Sequence, residues 1–229
     1  MAILLLTRPA TASARTKAEV ERLRPGVRVV VSPVIEIVQV PFTQAPAQGE
    51  LILTSENGAE AAVALDLPKG MRAWCVGART AEVARAGGFD AVSAEGDAEA
   101  LVALILSSSV RGELLHLRGE HARGDIAPRL RAAGRDARDT VVYRQEERVL
   151  SDEARSVLGA EQRVVLPVYS PRSAAILVAQ GPFAAPLHVI AISREAARAA
   201  KGLKGAVISE IDNPNGQSML SAIVDSLSD

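Results

Sequence analysis

The amino-acid sequence predicts an α/β fold made of two similar parallel-sheet domains, and three observations predict it. Short aliphatic runs alternate with longer alanine- and charge-rich stretches along the 229 residues, and strands separated by helices make a parallel sheet. Several runs, such as Ile3 to Leu6 and Val164 to Leu166, are apolar at every position, as strands covered on both faces are. There is also an internal repeat. Leu4-Leu5-Leu6-Thr7-Arg8-Pro9 resembles Leu114-Leu115-His116-Leu117-Arg118-Gly119. Leu53-Thr54-Ser55-Glu56-Asn57-Gly58-Ala59 resembles Val168-Tyr169-Ser170-Pro171-Arg172-Ser173-Ala174, and Val76-Gly77-Ala78-Arg79-Thr80-Ala81 resembles Ile192-Ser193-Arg194-Glu195-Ala196-Ala197. The pairs lie 110, 115 and 116 residues apart. A near-constant offset in the same order means a duplicated unit, hence two domains with a cleft between them.

Taken in order, Ile3 to Leu6 is a buried strand stopped by Thr7-Arg8-Pro9. A helix follows over Ala10 to Leu23, ended by Pro25-Gly26. Val27 to Val31 is β-branched and reads as a strand. Pro33, Pro41 and Pro46 then break the chain around an extended piece, Val34 to Val38. Leu51 to Leu53 opens a second series, with Thr54-Ser55-Glu56-Asn57-Gly58 as its exit loop. A helix over Ala59 to Leu65, a strand over Ala73 to Val76 and a helix to Ala86 come next, closed by Gly87-Gly88. After Ala91-Val92 there is a helix over Ala98 to Leu106, then a strand over Leu114 to Leu117 and the loop Arg118-Gly119-Glu120. A helix near Ile126 to Ala133 leads to a strand through Val141-Val142-Tyr143. From Ser151 the pattern gives a short helix, the strand Val164 to Leu166 and three more helices.

Two extended stretches, Val34 to Val40 and Tyr143 to Leu150, fall between helical series, and each is long enough to cross from one domain to the other. Pairing them gives a discontinuous domain from 1–35 plus 150–229, a continuous domain over 41–142, and crossover linkers at 36–40 and 143–149. Two linkers side by side make a hinge rather than a rigid joint.

Composition excludes several classes. The chain is 48% hydrophobic and 23% charged, which permits a packed core and argues against disorder. A formal net charge of −1 argues against a nucleic-acid partner. Cys75 is the only cysteine, so no disulfide framework exists; it sits in an apolar run and reads as an inert core thiol. The opening apolar run is too short for a signal core, and no run approaches membrane-spanning length, so a cytoplasmic protein without a membrane partner is expected. No G-x-G-x-x-G follows the first strand, and no P-loop lysine is present. His116, His121 and His188 show no ligand spacing, and His116, inside a strand, reads as a core residue. Asp125 and Asp139 read as surface charges. Tyr143 stands where apolar gives way to polar, at the carboxyl end of its strand, where α/β sheets bind ligands.

The ordered set Thr7-Arg8-Pro9, Thr54-Ser55-Glu56-Asn57-Gly58-Ala59, Val76-Gly77-Ala78-Arg79-Thr80-Ala81, Leu117-Arg118-Gly119-Glu120, Val142-Tyr143 and Tyr169-Ser170-Pro171-Arg172-Ser173-Ala174 resembles the uroporphyrinogen-III synthase family over nearly the whole chain. The resemblance implies a HemD-like architecture, two flavodoxin-like parallel-sheet domains joined by a two-stranded linker. It implies a lyase acting on hydroxymethylbilane, a linear tetrapyrrole with eight carboxylates, without metal, flavin or nicotinamide; a monomer is the default expectation for a clamshell that must open. Water is lost from the terminal hydroxymethyl group, and the ring closes through a spiro intermediate with ring D inverted. It places Tyr143 as proton donor, and Arg8, Ser55, Asn57, Gly58, Thr80, Arg118, Gly119, Ser170, Arg172, Ser173 and Ser193 as substrate contacts, together with main-chain N–H groups at helix starts. Tyr169 is expected to line the site.

Read without the resemblance, Ser55, Thr80 and Ser170 are ordinary N-caps and Gly58, Gly77 and Gly119 are turn glycines. Arg8 and Arg118 are solvated stems as readily as carboxylate contacts, and Tyr143 is a strand-end aromatic packed on a neighbour. The family pattern is broken at Ser193-Arg194-Glu195-Ala196-Ala197, where a Gly-Pro-Thr-Thr-Ala-like loop is expected; there Arg194 would attract a substrate carboxylate and Glu195 repel it. A cytoplasmic two-domain protein that binds small anions or regulates without catalysis, or an interaction module of the same ancestry, is the alternative to an enzyme.

Overall fold

The computed structural model of the protein describes residues 2–42, 49–110, 112–121 and 124–228; Met1 and Pro46 lie outside them. Eleven strands and nine helices are found among the described residues. In chain order they are β1 (Ile3–Leu6), α1 (Ala10–Leu23), β2 (Arg28–Val31), β3 (Ile35–Gln39), β4 (Gly49–Leu53), α2 (Glu56–Ala64), β5 (Arg72–Cys75) and α3 (Ala78–Ala86). Then come β6 (Asp90–Ser93), α4 (Ala98–Ser107), β7 (Glu113–Gly119), α5 (Ile126–Ala132), β8 (Ala137–Glu147) and α6 (Asp152–Leu158). The chain ends with β9 (Val164–Val168), α7 (Pro171–Gln180), β10 (Leu187–Ala191), α8 (Arg194–Ala200), β11 (Val207–Glu210) and α9 (Gly216–Ser226).

The chain divides into two compact units, one of 1–36 with 146–229 and one of 37–145. The first unit holds a five-stranded parallel sheet in the order β2-β1-β9-β10-β11. Numbered along the chain within that unit, this is 2-1-3-4-5, the flavodoxin-like order. The second sheet runs β3-β8-β7-β4-β5-β6, with parallel ladders from β8 through β6. Counted from β7 rather than β4, its five parallel strands follow the same 2-1-3-4-5 order, so the second unit is a circular permutation of the first. The repeats in the sequence fall on equivalent strands: β1 with β7, β9 with β4, β10 with β5. β3 adds to the outer edge beside β8; Val40 N–H donates to Val142 O, and Arg148 N–H to Val34 O.

Burial explains the strand compositions. β1 and β9 are buried at every position, and α1 and α9 cover one face of their sheet through Val20, Met219 and Ile223. In the second sheet, residues of odd number in β4 and β7 face α2 and α3, where Leu51, Leu53, Leu115 and Leu117 pack with Ala59, Ala62 and Ala81. Even-numbered Ile52 and Leu114 face α4 and α5, packing on Leu101, Ile105 and Ile126. Side-chain caps start many of the helices: Asp97 accepts from Glu99 and Ala100 N–H, Ser151 from Ala154 N–H and Asn215 from Ser218 N–H.

Three differences from the sequence reading have physical causes. β9 continues through Pro167, because the ladder to β1 ends at Leu4 and Val165 while that to β10 runs on to Val168; a residue without N–H is tolerated where one neighbour has dropped away. β10 and β11 interrupt what reads as a purely helical C-terminal third. β11 is a four-residue edge strand with Val207 at 67% exposure, so it lacks the buried signature of the others. Finally, β7 runs to Gly119, so Arg118 and Gly119 belong to a strand end rather than a loop. No described helix is long and apolar enough to cross a membrane.

Cys75 is fully buried, and burial pushes its thiol up to about 11, only partly offset by Arg85. The native protein should resist thiol-specific alkylation at mildly alkaline pH and be labelled fully in concentrated guanidinium. Rapid labelling of the folded chain would show that the β5 face is open.

Candidate functional site

In a 2-1-3-4-5 sheet the chain changes direction between its first and third strands, and ligands bind beyond the carboxyl ends of the strands at that switch. In the second unit the switch lies between β7 and β4, where the ladder ends at Leu117 and Leu53. The residues immediately beyond are Thr54 and Ser55 on one side, Arg118 and Gly119 on the other.

β8 completes this edge through a bulge. Arg118 pairs with Val141 but Gly119 pairs with Tyr143, so Val142 is an extra residue in the ladder. Strict alternation from Ala137 and Asp139 would send Tyr143 to the α4–α5 face. The bulge reverses its phase, and both Val142 and Tyr143 pack with the α2–α3 core. Tyr143 is thereby brought to Ser55, its hydroxyl 3.0 Å from Ser55 Oγ. Ser55 is the N-cap of α2 and accepts from Gly58 N–H at 3.0 Å. Tyr143 is only 6% exposed.

Two glycines allow this packing. A Cβ on Gly119 would lie 2.6 Å from Tyr143 Cε2 and 2.9 Å from its hydroxyl oxygen. A Cβ on Gly58 would lie 2.9 Å from the Leu117 carbonyl oxygen, so the first turn of α2 sits directly against the end of β7. Both positions require glycine for close approach, beyond any role in a turn.

On the opposite face of the same edge a second polar chain runs from Thr54 Oγ1 to His116 Nε2 (3.0 Å) and from His116 Nδ1 to Asp139 Oδ1 (2.7 Å). The structure corrects the reading of Asp139 as a surface charge: it bonds His116 and stands 3.4 Å from Arg118 Nε. His116 is 1% exposed, as expected of a strand histidine, but it is also a link between two functional groups. Burial holds its pKa below the ordinary histidine value; Asp139 pulls the other way, and Arg118 adds a smaller downward push. Neither Thr54 nor Asp139 stands out in the sequence, because their juxtaposition depends on strand register.

The other expected contacts divide by unit. In the second unit, Arg118 donates to the Gly119 and Glu120 carbonyls besides facing Asp139. Asn57 is half-buried in the first turn of α2, with no side-chain hydrogen bond among the described residues. Thr80 is buried in the first turn of α3, whose N-cap Gly77 offers no side chain to the orphan N–H groups. In the first unit, Arg8 lies 4.0 Å over the Tyr169 ring, a cation–π contact, and burial raises the Tyr169 pKa. Ser170 caps α7, accepting from Ser173 N–H and bonding Ser173 Oγ at 2.9 Å. Arg172 faces Glu147 at 3.6 Å. Ser193 caps α8 through Ala196 N–H. The Glu195 pKa is lowered by hydrogen bonds from its own backbone N–H and the Ser193 hydroxyl. The atypical loop therefore supplies its own carboxylate to the start of α8.

A family model described as uroporphyrinogen-III synthase HemD matches residues 16–221. Among solved structures, uroporphyrinogen-III synthetase from Helicobacter pylori is similar at 17% identity and TM-score 0.67, covering 100% of this chain and 99% of that one. A mutant uroporphyrinogen III synthase from the extremely thermophilic bacterium Thermus thermophilus aligns at 16% identity and TM-score 0.48 over 99% of both chains. No curated protein matches the chain.

Gly119→Ala should destabilise the protein by roughly 1–3 kcal/mol through overpacking against Tyr143, read as a lower urea midpoint; an unchanged midpoint would mean the ring can move aside. His116 adds a pH dependence. Its folded pKa lies below the unfolded value near 6.5, so below about pH 6.5 the unfolded chain binds the proton that the folded chain refuses. Stability should fall as pH drops from about 6.5 towards 5, with up to ~1.4 kcal/mol per pH unit from this group. His116→Gln should lose that component in urea titrations across the same window.

Proposed function

The chain belongs to the uroporphyrinogen-III synthase family, whose members are lyases of tetrapyrrole biosynthesis, and from that premise we propose that it cyclises hydroxymethylbilane to uroporphyrinogen III. The observation that carries the reading is the Ser55–Tyr143 hydroxyl pair at the switch point of the second unit. In the proposed reaction the pyrrole nitrogen next to the terminal hydroxymethyl group pushes out the hydroxyl. Hydroxide is a poor leaving group, so the C–O bond breaks as Tyr143 Oη gives its proton and water departs. The methylene left behind is an electrophile; the substituted carbon of ring D attacks it to form the spiro intermediate, whose rearrangement inverts that ring. The proton finally released by the closing ring returns to the phenolate. One substrate gives one product and one water.

The hydrogen bonding around Ser55 favours this role. Ser55 Oγ already accepts from Gly58 N–H; we assign its own hydrogen to Tyr143 Oη, 3.0 Å away, which leaves the phenolic hydrogen available for transfer. The same Ser55 bond then stabilises the phenolate. For the eight carboxylates we propose Asn57, the first turn of α2 with Gly58, and the uncapped first turn of α3 with Thr80 in the second unit. Arg118 and Gly119 belong to the same edge. Arg8, Ser170, Arg172, Ser173 and Ser193 are the proposed contacts at the carboxyl edge of the first sheet; Ser193 is the weakest of them, because Glu195 already engages it.

Supplying hydroxymethylbilane and separating the uroporphyrinogen isomers tests this directly. Spontaneous closure yields isomer I, so isomer III above background is the expected result, and isomer I alone would leave only a binding or regulatory protein of this fold. Tyr143→Phe should slow turnover by roughly 10²-fold or more, the range of a general acid, with its thermal melt preserved. An undiminished rate would remove Tyr143 from the acid role.

A further inference from the structure

The chain Thr54–His116–Asp139 fixes the direction of two hydrogen bonds. The Asp139 carboxylate can only accept, so the ring nitrogen 2.7 Å away, His116 Nδ1, carries the hydrogen. A neutral imidazole has one N–H, which leaves Nε2 as a bare lone pair. The group 3.0 Å from Nε2 is the Thr54 hydroxyl, which must therefore donate to it. Burial of the ring to 1% exposure, with its lowered pKa, keeps that neutral state in place. Among the described residues, Asp139 from β8, Arg118 from β7 and Thr54 after β4 are the charged and polar side chains shown to act on the ring.

Thr54 is partly exposed while its only hydroxyl hydrogen is committed inward. It presents lone pairs and no donor at the switch point. Such a group repels a carboxylate and accepts an N–H. Hydroxymethylbilane carries acceptors around its periphery, whereas its donors are the pyrrole N–H groups and the terminal hydroxyl. We propose that Thr54 is a substrate-binding residue that accepts a pyrrole N–H of the bilane, and that His116 and Asp139 are positioning residues that hold it as an acceptor. This rests on the activity proposed above. It adds what a set of anion contacts lacks, a group that tells the inside of the tetrapyrrole from its acidic rim.

The experiment separates polarity from mere presence of the hydroxyl. Nitrogen-15 NMR of the His116 ring should report the Nδ1–H tautomer in the wild type; an Nε2–H ring would overturn the proposal. In Asp139→Asn the side-chain amide can donate to Nδ1, which moves the hydrogen to Nε2 and turns the Thr54 hydroxyl outward as a donor. That variant should show the Nε2–H tautomer and a KM raised about tenfold, with kcat less affected and the thermal melt retained. Thr54→Val should raise KM similarly, and Thr54→Ser should restore it. Equal KM values for wild type and Thr54→Val would overturn the proposal, as would Asp139→Asn with the shifted tautomer and unchanged KM. Should the wild type make only isomer I, the activity reading falls. Binding of uroporphyrinogen III to wild type and Thr54→Val then decides the role of Thr54 separately: weaker binding by the variant supports it, and equal binding overturns it.

Discussion

The extra residue in β8 is the constraint on which the second-unit site depends. A strand places side chains alternately on its two faces, so one inserted residue reverses the phase of all that follow. With Val142 inserted opposite the Arg118–Gly119 step, Asp139 faces α4 and α5 and Tyr143 faces α2 and α3. One strand therefore supplies an acidic anchor to one side of the sheet and a phenol to the other. Gly119 completes the device, because the ring occupies the space that a Cβ would take. Neither polar chain is left unsatisfied in the interior, where an orphaned polar group costs on the order of 1–3 kcal/mol; among the described residues no buried side-chain nitrogen or oxygen lacks a partner.

The circular permutation explains why this strand carries so much. In the first unit the equivalent of β8 is β2, four residues long and, among the described residues, with no strand beyond it. In the second unit the chain must leave through that position to return to the first, and β8 is extended to eleven residues with β3 alongside. The duplication alone supplies the sheet order, and the exit of the chain supplies the length in which the bulge and Tyr143 reside. A symmetrical pair of units would have no such strand.

Much of the fold was legible because it depends on local rules. The buried strands Ile3–Leu6 and Val164 to Leu166 show themselves as unbroken aliphatic runs, Ser55 and Ser170 as caps, and the repeat as a near-constant offset that reappears as equivalent strands. What was illegible depends on register between distant segments. The sequence around Val141-Val142-Tyr143 contains nothing that marks a bulge, since the extra residue exists only relative to β7. Asp139 reads as a surface charge until His116 is placed opposite it. Pro167 reads as a strand end until one of its two neighbours is seen to stop early. Edge strand β11 has no buried alternation to reveal it.

Charge on the chain and charge at the candidate site are different quantities. Arginines near these edges already have acidic partners: Arg118 with Asp139, Arg172 with Glu147, and Arg79 with both Glu56 and Glu82. Exposed pairs of this kind stabilise little, about 0–1 kcal/mol each, but they leave less unopposed positive charge at the sheet edges. Fixed dipoles remain, above all the first turn of α3 beyond Gly77, which no side chain caps. Backbone N–H groups held by a helix need no reorganisation to face an anion, and they add nothing to net charge. Such dipoles would let a chain of net charge −1 hold the octa-anionic substrate proposed for it without becoming a general polyanion binder.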